Sequence, residues 1–124
     1  MSFYDWNNVR ETEITPSYLR KIAVGDNISV ARIEVKEGAV THAHSHNNEE
    51  VVIVLKGAWR FHLPDRDVVV GPNQMIVIPR NIEHSSEALK DSVALDICTP
   101  PRSDWISGEH EVPQDHPDQY LWAV

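Results

Sequence analysis

Between residues 28 and 97 the apolar positions fall in short runs rich in valine and isoleucine, separated about every ten residues by clusters of glycine, proline, asparagine and aspartate. The runs predict strands over 28–35, 41–46, 50–55, 59–63, 68–70, 75–78 and 92–97. Between them stand Glu37-Gly38, Asn47-Asn48, Lys56-Gly57, Pro64-Asp65, Gly71-Pro72-Asn73 and Pro79-Arg80-Asn81. Glycine and asparagine tolerate positive φ, so these clusters read as turns. The rhythm is all-β, that of an antiparallel sandwich or small barrel.

The ends of the chain carry a weaker pattern. Residues 12–20 read as a single helical turn after Pro16, and residues 100–124, with four of the eight prolines and one basic residue, Arg102, read as an irregular tail. Trp105, Tyr120, Leu121 and Trp122 are too apolar for a solvated linker and are expected to pack on the barrel or on a second subunit, which favours a homodimer. The expected organisation is one domain: an N-terminal segment over 1–27 packed on the barrel or a partner, a barrel over 28–99, and the tail over 100–124.

Composition narrows the function. A chain of 124 residues with 41% hydrophobic positions suits one globular core. With 11 Lys+Arg against 19 Asp+Glu and a net charge of −8, it has no basic patch, so nucleic acid and anionic membranes are poor partners, and small molecules or other proteins remain. The single cysteine, Cys98, excludes an internal disulfide framework and a Cys-pair zinc motif. The N-terminus lacks the pattern of a secretory signal and no apolar run is long enough to span a bilayer, so a cytoplasmic location is expected.

The candidate chemistry lies in the run His42-Ala43-His44-Ser45-His46. On a strand, alternation places all three rings on one face, with successive Cα atoms of the set about 6.6 Å apart, so that neighbouring rings can converge on one ion. Glu50 opens the next strand on the face continued by Val52 and Val54, and His84 follows a turn that can return it to the first pair. A lone strand histidine is usually a surface residue, but burying several imidazoles beside a carboxylate is costly unless a divalent cation compensates them. Metal binding is therefore the expected role. His42 is assigned to the surroundings of the site rather than to the ion. His62 reads as a surface residue, and His110 and His116, in the acidic tail, as solvated.

Gly38, five residues, His44, one residue, His46, three residues, Glu50, six residues and Gly57 together resemble the first motif of the cupin superfamily. The second motif is weaker, with Asn73 and Asn81 where cupins usually place glycine; asparagine accepts the same left-handed conformation. The resemblance covers roughly 28–97 and implies a jelly-roll β-barrel holding one divalent ion per chain (Fe, Mn, Ni, Co or Zn) on His44, His46, Glu50 and His84. A narrower likeness, through Val24-Gly25-Asp26-Asn27, Ala31-Arg32, the histidine run and the stretch from Asp96 to Trp105, is to small cupins of the pectin-degradation type, which convert unsaturated or keto uronates to linear ketonised products. In that group the residues matching Asp96 and Arg102 line the pocket beside the metal. Glu50 stands where the group commonly has glutamine and Cys98 where it commonly has phenylalanine, so the same substrate does not follow automatically.

These likenesses imply a metal-dependent isomerase or lyase acting on a small carboxylated, oxygen-rich substrate, with Asp96 moving a proton and Arg102 clamping a carboxylate bidentately. Asp96 also reads as a strand-end carboxylate paired with an arginine or backbone N–H, and Arg102 as a salt bridge securing the tail. Trp59 and Phe61 are expected to face inward as an aromatic wall; the opposite register would bring Arg60 and His62 to the substrate. Cys98 shares a face with Asp96 and reads as a small buried residue rather than a nucleophile. Two other functions use the same residues: an Fe/Ni dioxygenase or polyketide cyclase, distinguished by its metal, and a non-catalytic ligand-binding barrel.

Overall fold

The structure is a computed structural model that describes residues 1–102. A short 3-10 turn, Trp6–Asn8, capped by the Asp5 carboxylate accepting from the Asn7 N–H at 2.9 Å, precedes ten strands. In chain order these are β1 Thr12–Thr15, β2 Tyr18–Val24, β3 Ser29–Val35, β4 Val40–His44, β5 Glu49–Lys56, β6 Trp59–His62, β7 Asp67–Val70, β8 Gln74–Ile78, β9 His84–Ala88 and β10 Ser92–Thr99. They form an antiparallel jelly roll of two sheets: six strands in the order β1-β2-β3-β10-β5-β8 and four in the order β4-β9-β6-β7. Among the described residues no helix is long and apolar enough to cross a membrane.

The seven strands that the apolar runs predict all form, each within two residues of its expected bounds. Three others did not show in the pattern. The helical turn expected over 12–20 is instead β1 and the start of β2, which carry the six-stranded sheet beyond the expected barrel start at Ile28. The reason is local: β2 turns Tyr18 and Arg20 inward and leaves Leu19 half-exposed, so its charged inner residue and apolar outer one mask the strand alternation. In β9 the inward residues are His84, Ser86 and Ala88, too polar and small to register as an apolar run.

Alternation is regular where it was legible. In β3 Ser29, Ala31, Ile33 and Val35 face inward, in β5 Glu50, Val52 and Val54, and in β10 Ser92, Ala94, Asp96 and Cys98. Side chains of these strands meet Trp59, Phe61, Val70 and Ala88 of the smaller sheet to fill the core. Asn73 and Asn81 adopt φ of 65° and 62°, the left-handed conformation expected of residues standing in for glycine. Gly57 (φ 93°) closes the β5–β6 turn, where a Cβ would run into Ser92 and the Asp91 carbonyl; only glycine fits there.

Candidate metal centre

The ligand candidates come from both sheets and from the turns at one end of the barrel. β4 and β9 pair His44 directly opposite His84, while Glu50 begins the inward row of β5 and lies opposite Cys98 of β10. His46 lies just beyond the end of β4, in the turn that leads into β5. The three imidazole rings are gathered with centroids 4.4 Å (His44–His84), 5.1 Å (His46–His84) and 5.4 Å (His44–His46) apart. One nitrogen from each lies within 4.8 Å of the others. The Glu50 carboxylate reaches into the same cluster, with Oε1 3.1 Å from His84 Nε2 and 3.2 Å from His46 Nε2.

Second contacts orient two of the rings. His44 Nδ1 lies 2.9 Å from the His42 carbonyl and His84 Nδ1 lies 2.8 Å from the Ile82 carbonyl, so each Nδ1 carries the proton and donates to a main-chain acceptor. The Nε2 atoms are thereby turned into the cluster as the coordinating positions. Burial lowers the His44 pKa to about 4, and the ring is neutral at physiological pH with its lone pair available. Burial acts the same way on His84, but the Glu50 carboxylate outweighs it and the net shift is upward. Burial would raise Glu50; hydrogen bonds from His46, His84 and Asp96 reverse this and hold it well below the usual carboxylate range.

This donor set fits a divalent cation. Without one, three rings and a buried carboxylate crowd together with His46 Nδ1 buried and lacking a hydrogen-bond partner among the described residues. Three nitrogens and one anionic oxygen supply the mixed hard and borderline ligands that first-row divalent metals take.

His42 departs from the expected alternation. A register shift between Thr41 and His44 in the β4–β9 pairing turns His42 to the exposed outer face, so only two rings of the run face inward. His42 contributes to the site through its carbonyl alone. His62 lies outside as expected, 2.8 Å from Asp67 Oδ1 and 3.5 Å from Glu87 Oε1. His110, His116, Trp105, Tyr120, Leu121 and Trp122 lie outside the described residues.

Beside the cluster is a tight cavity of about 20 Å³, little more than one water molecule, lined by His44, His84, Glu50 and Asp96 together with Trp59, Phe61, Tyr18, Thr41, Ser86 and Val52. Trp59 and Phe61 form the inward aromatic pair, centroids 5.4 Å apart. Asp96 is buried and hydrogen-bonded to Glu50; burial raises its pKa, the Glu50 charge raises it further, and the net position is well above the ordinary carboxyl range despite the nearby Arg102 and Arg20. Cys98 is fully buried, in no disulfide, with Sγ 3.9 Å from Asp96 Oδ1. Arg102 is buried and near enough to Asp96 and His84 to act on both electrostatically.

Tyr18 and Arg20 escaped the sequence reading. Tyr18 is buried, hydrogen-bonds Thr41, and keeps its proton because burial raises its pKa well above the ordinary value. Arg20 is 1% exposed and holds a guanidinium inside the barrel. The period-two series Tyr18, Arg20, Ile22 was the available signal, and the preceding Pro16 obscured it.

The comparisons agree with this geometry. Residues 31–98 match the family model described as a cupin domain. In structure the chain is similar to KdgF from Halomonas sp., at 26% identity and TM-score 0.78, covering 84% of this chain and 99% of that one. It is similar in fold to an RmlC-like cupin from Shewanella frigidimarina (17% identity, TM-score 0.79, 85% and 96% covered) and to ectoine synthase from P. lautus (16%, 0.73, 88% and 86%). No curated protein matches the sequence. A jelly roll with a His/Glu cluster at one end, matched by the family model over more than half its length, makes this chain a member of the cupin superfamily.

Proposed function

We propose that the chain is a metal-dependent cupin enzyme of the isomerase or lyase type, acting on a small carboxylated, oxygen-rich acid such as an unsaturated or keto uronate. The observation that carries this reading is the buried Asp96 carboxyl, hydrogen-bonded to a candidate metal ligand, lining the cavity beside it and flanked by Arg102. The likeness to KdgF supports it.

His44, His46, Glu50 and His84 would hold the ion, whose chemistry there is that of a Lewis acid that acidifies protons beside a bound carbonyl or hydroxyl. Asp96 holds a proton at its carboxyl oxygen, the condition for donating it to one substrate atom; the carboxylate left behind can take a proton from a neighbouring carbon, which restores Asp96 and leaves an isomer. The guanidinium of Arg102 receives the substrate carboxylate as a planar fork and fixes the orientation on which both transfers depend. Trp59 and Phe61 wall the cavity and keep water from the reacting atoms. Because the cavity holds little more than a water molecule, a sugar-sized acid would meet the ion and Arg102 at the histidine end rather than enter the barrel interior.

The test starts with elemental mass spectrometry of untagged protein and its His44→Ala variant, expecting about one ion per chain in the first and none in the second. Loaded enzyme is then incubated with unsaturated uronates in deuterium oxide. The expected result is a product carrying deuterium on carbon, with the rate reduced about 10²–10⁴-fold in Asp96→Asn. An ion-loaded protein that binds uronates and turns none over is a binding barrel, and the enzyme reading then falls.

The same proposal includes a homodimer in a reducing, cytoplasmic setting, consistent with the buried thiol of Cys98. The outer face of β10, β5 and β8 is apolar, with Leu55, Met75 and Val77 exposed beside Ile53 and Leu95. A second copy seated there would cover an exposed apolar edge strand. Sedimentation of Val77→Lys should give half the mass of the parent; equal masses remove this part of the proposal.

A further inference from the structure

The chain between β10 and Arg102 is built in an unusual way. The β10–β5 ladder ends at Thr99 opposite Glu49, and the next two residues are Pro100 and Pro101, neither of which has an N–H to continue it. The side-chain amide of Asn48 takes over: its Nδ2 donates to the Pro100 carbonyl at 2.6 Å and approaches the Pro101 carbonyl at 3.5 Å. On the other flank the first available donor after the prolines, the Arg102 N–H, reaches Ser29 Oγ at 3.3 Å. Ser29 is fully buried and faces Cys98 in the ladder. The strap 99–102 is thus held between β5 and β3, and Arg102 leaves it as a buried side chain beside Asp96 and His84.

Asn48 lies between His46 and Glu50 in sequence. The turn that carries one candidate ligand, His46, and leads into the strand of another, Glu50, therefore also grips the strap that delivers the arginine. We infer that Asn48 is a positioning residue, holding the strap so that the Arg102 guanidinium enters the site, and that it thereby ties the geometry of the ion to the geometry of the carboxylate clamp. The inference rests on the proposed clamp role of Arg102 for its meaning in catalysis. Its structural content stands on the hydrogen bonds alone.

Both parts can be tested separately. Phenylglyoxal condenses with accessible guanidinium groups, and mass spectrometry locates the adducts. In the metal-loaded parent Arg102 and Arg20, both buried, should label slowly. In Asn48→Ala, and equally in Asn48→Asp, which keeps the shape but loses the donor, labelling of Arg102 should rise about fivefold, the factor expected for one lost hydrogen bond. Arg20 should stay protected and the metal content unchanged. Labelling that does not rise at Arg102, that rises equally at Arg20, or that comes with loss of the ion overturns the inference, because Asn48 would then be a mere turn residue or a support of the whole barrel. A second arm measures D-galacturonate binding by calorimetry. If Asn48 acts through Arg102, Asn48→Ala weakens binding and Asn48→Ala/Arg102→Ala is no weaker than Arg102→Ala alone; additive losses overturn it. Parent protein that binds no galacturonate, or Arg102→Ala that binds as well as parent, sinks the clamp reading while the labelling result still decides the strap.

Discussion

At the histidine end of the barrel β5 and β10 turn Glu50, Asp96 and Cys98 inward; further along, the same strands turn Val54 and Ala94 inward. The smaller sheet changes in the same sense, from His44 and His84 through Thr41 and Ser86 to Ala88, Trp59 and Val70. One interior thus has two regimes. At the apolar end, with Arg20 opposite Ile33 as the charged exception, the side chains fill space and stability comes from removing surface from water. At the histidine end polar groups are buried together, with two carboxyls sharing a hydrogen bond, two rings against one carboxylate and His46 Nδ1 without a hydrogen-bond partner among the described residues. That arrangement is costly for an empty protein and favourable around a cation, so the difference teaches that the fold is anchored at one end and leaves the other free for chemistry.

The widest separation between the two ends should show in paired variants. His84→Ala should lower metal affinity by more than the ~10–100-fold typical of losing a second-sphere partner, and leave the thermal transition of the metal-free protein nearly in place. Ile33→Ala, at the fully buried apolar end, should do the reverse, destabilising by about 2–5 kcal/mol while the ion content is kept. Elemental analysis and urea unfolding of both variants read the two effects side by side. A large loss of metal-free stability in His84→Ala, or of metal in Ile33→Ala, would show that the ends are not separable.

The two regimes were unequally legible in the sequence. Strands whose inner row is Val52 and Val54, or Ile76 and Ile78, announce themselves, because there alternation and hydrophobic burial coincide. Where the inner row is chemical the signal weakens: β9, carrying His84, Ser86 and Ala88, was invisible as a strand although His84 itself was picked out by the turn before it and by likeness to cupins. His42 shows the opposite error, since perfect alternation in sequence was broken by a register shift that no residue type announces. Asp96 and Arg102 were found through likeness to other cupins. Arg20 was missed because a charged residue on an inner face contradicts the rule by which strands are read.

A subtler contrast concerns protonation. Burial and the Glu50 charge keep a proton on Asp96 in the folded protein at pH values where the unfolded chain, titrating near 3.8, has released it. The folded state then binds more protons, so this group makes stability fall as pH rises from the unfolded pKa towards the folded one. Asp96→Asn resembles the protonated form and removes that slope. Metal-free Asp96→Asn should therefore melt above metal-free parent near neutral pH, with the gain shrinking towards about pH 4. Glu50, whose pKa is depressed, loses its contribution only as pH falls below the ordinary carboxylate range and does not imitate this. A gain that grows on acidification would place the proton on Glu50 instead. No apolar-end substitution should show a pH-dependent difference of this kind.

The smallest effect is expected on the outside of the smaller sheet, directly behind the site. Glu87 alternates with Ser86 on β9 and faces solvent, 3.0 Å from Arg60 Nη1 and 3.5 Å from His62 Nε2. All three side chains are 37–40% exposed, so water screens the pairs and each is worth little. Glu87→Gln should change stability by less than ~1 kcal/mol and leave ion content and the pH profile of the parent untouched. The variant is informative because Glu87 lies only three residues from His84 on the same strand. If removing an exterior charge altered metal affinity, the centre would respond to the strand's outer face, and the division that matters would run between the two sheets rather than between the two ends of the interior. An unchanged affinity keeps the site where its contacts place it, inside the barrel and governed by the residues that face one another there.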